Sequence, residues 1–352
     1  MSSPRVEISL DKIAHNVTAL MDLYGSRGIQ ICAVTKAVCG DPRIVEVLVK
    51  SGIRILADSR MANIRRMRDA GIEAQFLLLR SPFLSQAEAV VSFADISLNT
   101  DLSVIEKLSV FAMKQNARHK IILMVELGDL REGIMPSDML DTIERVIKLE
   151  GIQLVGIGTN LACFGGIAPD QDKMGELSSL AKDIEEEFDL ALTYVSGGNS
   201  ANYSWFMATP DVGKINNLRL GESIYLGCET LHRKPIPGLF TDAFKLVAEV
   251  IESKVKPSLP YGKVGQNASG QVPGFRDHGE MRRIILGIGL QDVLVSGLTP
   301  RSNLDILGAS SDHIILNTHQ KEYLAGSEVE FDLNYGALIS AMASPYIEKM
   351  VR

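Results

Sequence analysis

The sequence has few cysteines, no long apolar run and no block of a single charge. Its 352 residues include four cysteines, Cys32, Cys39, Cys163 and Cys228, and no two of them stand in a C-x-x-C spacing. A disulfide scaffold would be denser, and a thiolate metal site would show paired ligands, so reduced thiols and no metal are expected. Nowhere do about 20 apolar residues run together, which excludes the usual pattern of a helical membrane span. The opening Met1-Ser-Ser-Pro-Arg-Val-Glu has no apolar stretch of a secretory signal, so the expectation is a cytoplasmic protein. Without such a signal, the glycosylation-type triplets at Asn16 and Asn267 carry no weight. Thirty-six Lys and Arg stand against 43 Asp and Glu, a net charge of −7. The basic residues are dispersed, so no partnership with nucleic acid is expected.

What is present is the ordinary balance of a globular chain, 46% apolar and 22% charged. A length of 352 residues suggests two domains at roughly 150 each, although one α/β barrel absorbs about 250. From residue 29 to residue 223 the sequence keeps one rhythm. Short apolar runs at 29–35, 54–57, 74–79, 96–98, 120–127, 154–158, 192–195 and 217–220 read as strands. Amphipathic stretches at 42–50, 61–70, 84–91, 103–115, 137–149, 172–187 and 200–207 read as the helices between them. Asp41 followed by Pro42, and Asp101, are helix-start signals. The fold class is therefore α/β: eight units closing into a (β/α)8 TIM-type barrel, with an open doubly wound sheet as the alternative, because periodicity does not show closure. After residue 231 the helical spacing fades. Short strands are expected at 244–255, 281–288, 304–307, 313–316 and 329–333, with a loop at 257–278. The expected domains are a barrel over 11–231 and a mostly β C-terminal domain over 232–352, which the strand-like stretch within 4–10 can join.

The first barrel strand ends at Lys36, where an apolar strand would desolvate an amine at the barrel's C-terminal mouth. Desolvation lowers a lysine's proton affinity and makes it a Schiff-base nucleophile. After the seventh strand comes Ser196-Gly-Gly-Asn199-Ser200-Ala-Asn202, and after the eighth Arg219-Leu-Gly221-Glu222-Ser223. Glycines there allow close backbone approach, and loops after strands seven and eight are where such barrels hold phosphate. A lysine on strand one with phosphate loops on seven and eight suits a phosphorylated aldehyde, and pyridoxal 5'-phosphate is the candidate cofactor. The bland alternative for each is an edge lysine and two ordinary turns.

Five segments then carry a resemblance: Val34-Thr-Lys-Ala-Val-Cys-Gly-Asp41, Leu56-Ala-Asp-Ser-Arg60, Gly128-Asp-Leu-Arg-Glu-Gly133, Ser196-Gly-Gly-Asn-Ser-Ala-Asn202 and Leu218-Arg-Leu-Gly-Glu-Ser-Ile-Tyr-Leu-Gly227. In order and content they resemble the alanine-racemase-type, fold-type III family of pyridoxal-phosphate enzymes, in its branch of ornithine and other basic amino-acid racemases. The resemblance implies that Lys36 holds the cofactor as a Schiff base and exchanges a proton with the substrate Cα on one face. It implies that Ser200, with the amides of Gly221 and Glu222, binds the phosphate beside Asn199. Arg219 matches an arginine that donates to the pyridine nitrogen, and Arg131 one that can hold the substrate carboxylate; the bland alternative for Arg131 is a surface ion pair with Asp129 or Glu132. Tyr335 matches a tyrosine near the phosphate. The partner implied is a small amino acid, and the assembly a homodimer with shared active sites.

Three departures accompany the likeness. Gly40 stands where the family has a phosphate-binding tyrosine, Asn160 where it has a barrel histidine, and Leu290 where its second catalytic tyrosine belongs. Asp312, His313 and Tyr335 are the candidates for the missing proton donor on the face opposite Lys36. The competing readings are a D-amino-acid lyase or aldolase of the same fold with an added metal site, a non-catalytic pyridoxal-phosphate carrier, and a cofactor-independent Schiff-base aldolase. For a basic side chain, Asp58, Asp129, Glu222 and Asp292 are the carboxylates considered as partners.

Overall fold

The computed structural model describes residues 3–266, 270, 272 and 274–352, so the triplet at Asn267 lies outside the described residues. Packing divides the chain into two units, Asp11–Thr241 and Met1–Leu10 with Asp242–Arg352. Strand β1 (Arg5–Ile8) belongs to the second of these. The first unit begins with helix α1 (Leu10–Gly25) and then alternates strands with helices. The strands are β2 (Gln30–Val34), β3 (Ile55–Asp58), β4 (Gln75–Leu78), β5 (Ile96–Asn99), β6 (His119–Val125), β7 (Ile152–Thr159), β8 (Tyr194–Ser196) and β9 (Asn217–Leu220). The helices after them are α2 (Pro42–Lys50), α3 (Met61–Asp69), α4 (Ala87–Phe93), α5 (Leu102–Lys114), α6 (Met139–Val146), α7 (Gln171–Phe188), α8 (Tyr203–Ala208) and α9 (Glu222–Leu226).

All neighbouring strands of this set are parallel, and β2 pairs with β9, so the sheet closes into an eight-stranded barrel. The open-sheet alternative is thereby excluded. The closing register sets Cys32 opposite Arg219 and Ala33 opposite Leu220. A core cluster made of Cys32, Val34, Ile55, Ala57, Leu77, Ile96, Leu98, Ile122, Met124 and Val155 is buried. Burying these apolar surfaces is the main favourable term in the fold, at about 25 cal/mol per Å². Gly156 is required where β7 meets β8, since a Cβ there would sit 2.2 Å from the carbonyl oxygen of Tyr194.

The expected helix starts are present. Asp41 accepts from the amide of Arg43 ahead of Pro42, and Asp101 accepts from the amides of Ser103 and Val104. The stretch expected as one helix at 84–91 is a 3-10 turn, Leu84–Gln86, followed by α4. Helix α1 was outside the expected rhythm. Its Ile13, Val17, Leu20 and Tyr24 face the core, and Asn16 is buried with them. The Asn16 amide donates to the carbonyls of Ile224 and Phe240 at 3.0 and 2.8 Å and accepts from the amide of Phe240. That side chain is a structural tie inside the unit, not a glycosylation site.

The second unit is a twisted sheet of β10 (Phe244–Pro257), β11 (Glu280–Leu286), β12 (Leu298–Pro300), β13 (Asp305–Ala309), β14 (Ile314–Asn317), β15 (Glu328–Leu333) and β16 (Glu348–Val351). Its order is β12-β15-β10-β11-β14-β13, with β1 pairing to β10 and β16. One helix, α10 (Tyr335–Ala343), interrupts the β pattern and was not expected. No helix among the described residues is long and apolar enough to cross a membrane.

Candidate active site

The C-terminal ends of the barrel strands bring the chemistry-bearing residues of the first unit together. Lys36 opens a 3-10 turn, Lys36–Val38, directly after β2. The turn is closed by Cys39 at φ 54° and Gly40 at φ 60°, a left-handed pair that directs the chain into α2. A Cβ on Gly40 would lie 3.0 Å from Cβ of Asn63, and its φ of 60° favours glycine, so a side chain at this position would be strained and tightly packed. The Lys36 side chain is half-buried, and that burial pushes its ammonium below the ordinary lysine range. Thr35 beside it is locked by a 2.7 Å bond from Oγ1 to Oδ2 of Asp58. Asp58 also accepts from the Arg60 amide at 2.9 Å and from Asn63 at 3.0 and 3.2 Å. Burial raises its proton affinity, and these donors work against that rise.

Arg219 on β9 is 4% exposed, and its guanidinium reaches the ends of β7 and β8. It donates to Oγ of Ser196 at 2.5 Å and to the Thr159 carbonyl at 2.8 Å, with a longer 3.5 Å contact to Oδ1 of Asn160. These are neutral oxygens. Burial pushes Arg219 down to about 10. A glycine at 158 makes the space: a Cβ there would lie 3.6 Å from Nη1 of Arg219 and 3.0 Å from Ser196. Asn160 has a buried amide nitrogen without a hydrogen-bond partner.

The loops after β8 and β9 meet through two hydroxyls. Ser200 and Ser223, both nearly fully buried, lie with their Oγ atoms 3.0 Å apart, and the Ser223 amide donates to Oγ of Ser200 at 3.2 Å. Gly221 packs against β2, where a Cβ would sit 3.2 Å from Cβ of Val34. Gly198, at φ 131°, could not carry a side chain without meeting Asn202 at 2.6 Å. Asn199 spends its own amide on the chain. Its oxygen caps the following turn, and its nitrogen donates to Asn160 at 3.2 Å and the Leu161 carbonyl at 2.8 Å. Glu222 is ion-paired with Arg233, yet burial raises its carboxyl to about 7.

The loop after β6 folds back on its own strand. Gly133 makes this possible, since a Cβ there would be 2.5 Å from the Glu126 amide. Glu126 accepts from the amides of Gly128 and Leu130, which tightens the loop. Arg131 and Glu132 are thereby presented side by side, and the guanidinium grips the carboxylate through Nε and Nη2. The remaining Nη1 donates to Sγ of Cys163 at 2.6 Å, from the loop after β7. That loop is pinned by Asp129, which accepts from the amides of Cys163 and Phe164 at 3.2 and 2.8 Å. Arg131 lies within electrostatic reach of Lys36 and Arg219, and Glu132 within reach of Arg219.

Lys36, Asn199, Ser200, Gly221, Glu222 and Arg131 thus follow the C-terminal ends of barrel strands, and Arg219 lies within β9. Cys163 and Ser223 join them without having been singled out, and Glu132 is there as the ion-pair partner that the bland alternative for Arg131 named. Glu132 and Ser223 stand within two of the quoted segments, whereas Cys163 had no signal. Tyr335, Asp312 and His313 belong to the second unit. Tyr335 opens α10, whose first turn is capped by Asn334. Asp312 and His313 form an exposed turn, with Asp312 Oδ2 3.9 Å from His313 Nδ1. Leu290 lies beside that turn, its amide donating to the Ser310 carbonyl at 2.9 Å. Among the described residues no three His, Cys, Asp or Glu side chains are placed to hold a metal ion.

Comparison with known proteins agrees with this arrangement. Residues 8–228 match the profile of the family described as alanine racemase, N-terminal domain. The ornithine racemase of Acetoanaerobium sticklandii is 39% identical over 350 residues, covering 98% of this chain and 99% of the relative. The lysine racemase of Thermotoga maritima is 38% identical over 353 residues, 99% of each chain. Among solved structures, the alanine racemase of Bartonella henselae with covalently bound pyridoxal phosphate has a TM-score of 0.77 at 18% identity over 100% of both chains. The alanine racemase of Streptomyces lavendulae gives 0.78 at 15% identity, over 100% of this chain and 97% of that one. At such identities the structural likeness speaks for the fold.

Proposed function

The chain belongs to the alanine racemase family, and on that premise we propose that it interconverts the L and D forms of a basic amino acid, ornithine or lysine, with pyridoxal 5'-phosphate as cofactor. The observation that carries the reading is a half-buried lysine of lowered proton affinity at the same barrel mouth as a fully buried arginine whose partners are neutral oxygens. Burying a cation without a carboxylate is costly, and the cost is understandable where a ligand acceptor completes the site.

The residues fit the cofactor. Lys36 would hold its aldehyde carbon, Ser200 and Ser223 with the amides of Gly221 and Glu222 its phosphate, and Arg219 its ring nitrogen. Tyr335 keeps the phosphate role that the resemblance gives it, and Asn199 holds the phosphate turn in shape through its cap. When bound, pyridoxal phosphate supplies an electron-accepting ring that acidifies the substrate's Cα–H bond.

Lys36 Nζ would take the Cα proton on one face. Its burial favours the neutral amine that this task needs. Arg219 would donate to the ring nitrogen and, as a strong base's conjugate acid, would not protonate it. An arginine rather than an acid in that position would favour return of the proton to Cα, and so racemisation over transamination. Arg131 orients the substrate carboxylate by a two-pronged contact. Asp312, His313 or Tyr335 delivers the proton on the other face, and the sites are shared across a homodimer.

The test is proton NMR in heavy water with the cofactor-loaded protein, L-ornithine and L-lysine, followed by chiral analysis. Loss of the Cα signal with growth of the D-enantiomer is expected. Lys36→Ala is expected to slow both by about 10³-fold or more. Undiminished racemisation by that variant would overturn the assignment, and exchange without inversion would leave the second proton donor unsupported.

A further inference from the structure

Glu132 explains how such a site would choose a basic side chain. The carboxylates considered from the sequence are already engaged. Asp58 is saturated by Thr35, Asn63 and the Arg60 amide, and Asp129 by the amides of Cys163 and Phe164. Glu222 is paired with Arg233. Asp292, in the second unit, accepts from the Gly289 amide at 3.2 Å and from Ser344 at 3.4 Å. At the barrel mouth Glu126 is likewise tied to the amides of Gly128 and Leu130.

Glu132 differs in one respect: its partner is Arg131, the residue that the reaction would need for the substrate carboxylate. The pair is only partly open to water, with side chains 37% and 28% exposed, and Glu132 also lies within reach of buried Arg219. A substrate carboxylate arriving at Arg131 must displace Glu132. A neutral amino acid would leave that carboxylate half-buried and without its cation, or competing for the same guanidinium. A substrate carrying an ammonium three or four carbons beyond Cα restores the balance, because one ion pair becomes two.

We propose that the Arg131–Glu132 ion pair is the specificity element of this site, exchanged on binding so that Arg131 takes the substrate α-carboxylate and Glu132 its ω-ammonium. The inference rests on the racemase reading above and adds the residue that reads the side chain. Charge complementarity of this kind rejects the wrong ligand mainly by the cost of stranding a desolvated charge.

The experiment compares L-ornithine and L-lysine with L-norvaline and L-norleucine, which have the same carbon chains without the amine. Absorbance of the bound cofactor first verifies loading of each variant. In Glu132→Gln the ratio of kcat/KM for ornithine over norvaline is expected to fall about 100-fold, chiefly through KM for ornithine. Glu132→Asp, one methylene shorter, keeps the charge and is expected to move the preference from ornithine toward lysine. It carries the same test should Glu132→Gln fail to load. An unchanged basic-to-neutral ratio in Glu132→Gln, or an unchanged ornithine-to-lysine ratio in Glu132→Asp, would overturn the proposal. If the unaltered enzyme racemises no basic amino acid, the failure lies instead in the substrate reading on which the proposal rests.

Discussion

A guanidinium at 4% exposure and an imidazole at 4% exposure meet the same desolvation cost in this barrel by different means. Arg219 remains a cation held by neutral oxygens, whereas His119 at the start of β6 stays neutral, bonded to Oγ of Ser97 at 2.9 Å. Burial pushes His119 down to about 4 from an ordinary 6.5. In the unfolded chain that imidazole protonates first, so stability is intact above pH 6.5 and declines as the pH falls toward 4. A shift of this size corresponds to about 3 kcal/mol. Urea titrations from pH 4 to pH 7 are expected to show that fall in the unaltered protein and a shallower one in His119→Gln. Parallel slopes would contradict it. Lys36 and Arg219 were legible as residues because strand ends fix where their side chains begin. Cys163 was not, nor was the choice of Glu132 over Asp129 as the partner of Arg131, because a folded-back loop decides what they touch.

Secondary structure was legible where a local signal and a face coincide. Asp41 with Pro42, and Asp101, announce helices that begin within a residue of the expected place. Helix α1 had a usable spacing at 13, 17, 20 and 24, but it precedes the strand-and-helix rhythm that organised the rest. Helix α10 offered less, since Tyr335-Gly-Ala-Leu-Ile-Ser-Ala-Met-Ala has almost no polar face to set a period. The contrast between a cap and a strand contact is measurable. Asp101→Ala should cost about 1 kcal/mol through loss of one cap. Gly156→Ala should cost about 3 kcal/mol, because its methyl meets backbone of β8 and cannot be relieved by turning a side chain. Chemical denaturation of both variants ranks them, and an equal loss would mean that β7 and β8 yield more easily than the contact implies.

At the scale of the molecule, closure of the barrel is what sets Arg219 beside Cys32 and brings the loops of β8 and β9 onto the same mouth as Lys36. The loops there also expose large apolar side chains, Leu130 at 72% and Phe164 at 75%. Water-facing groups of that size are consistent with the proposed homodimer. Sedimentation velocity should therefore find a species of about twice the 38.4 kDa chain mass, and a fully active species of single chain mass would refute the shared site. The sequence by itself determined the α/β rhythm, the helix starts, the strand-end lysine and the phosphate-type turns, because each depends on neighbours a few residues away. Only the tertiary structure decided that the sheet closes, that β1 pairs within the C-terminal sheet, and that Arg131 holds Glu132 rather than Asp129 while also reaching Cys163. Those outcomes depend on contacts between distant segments and on which charges burial allows to pair, and no local pattern encodes either.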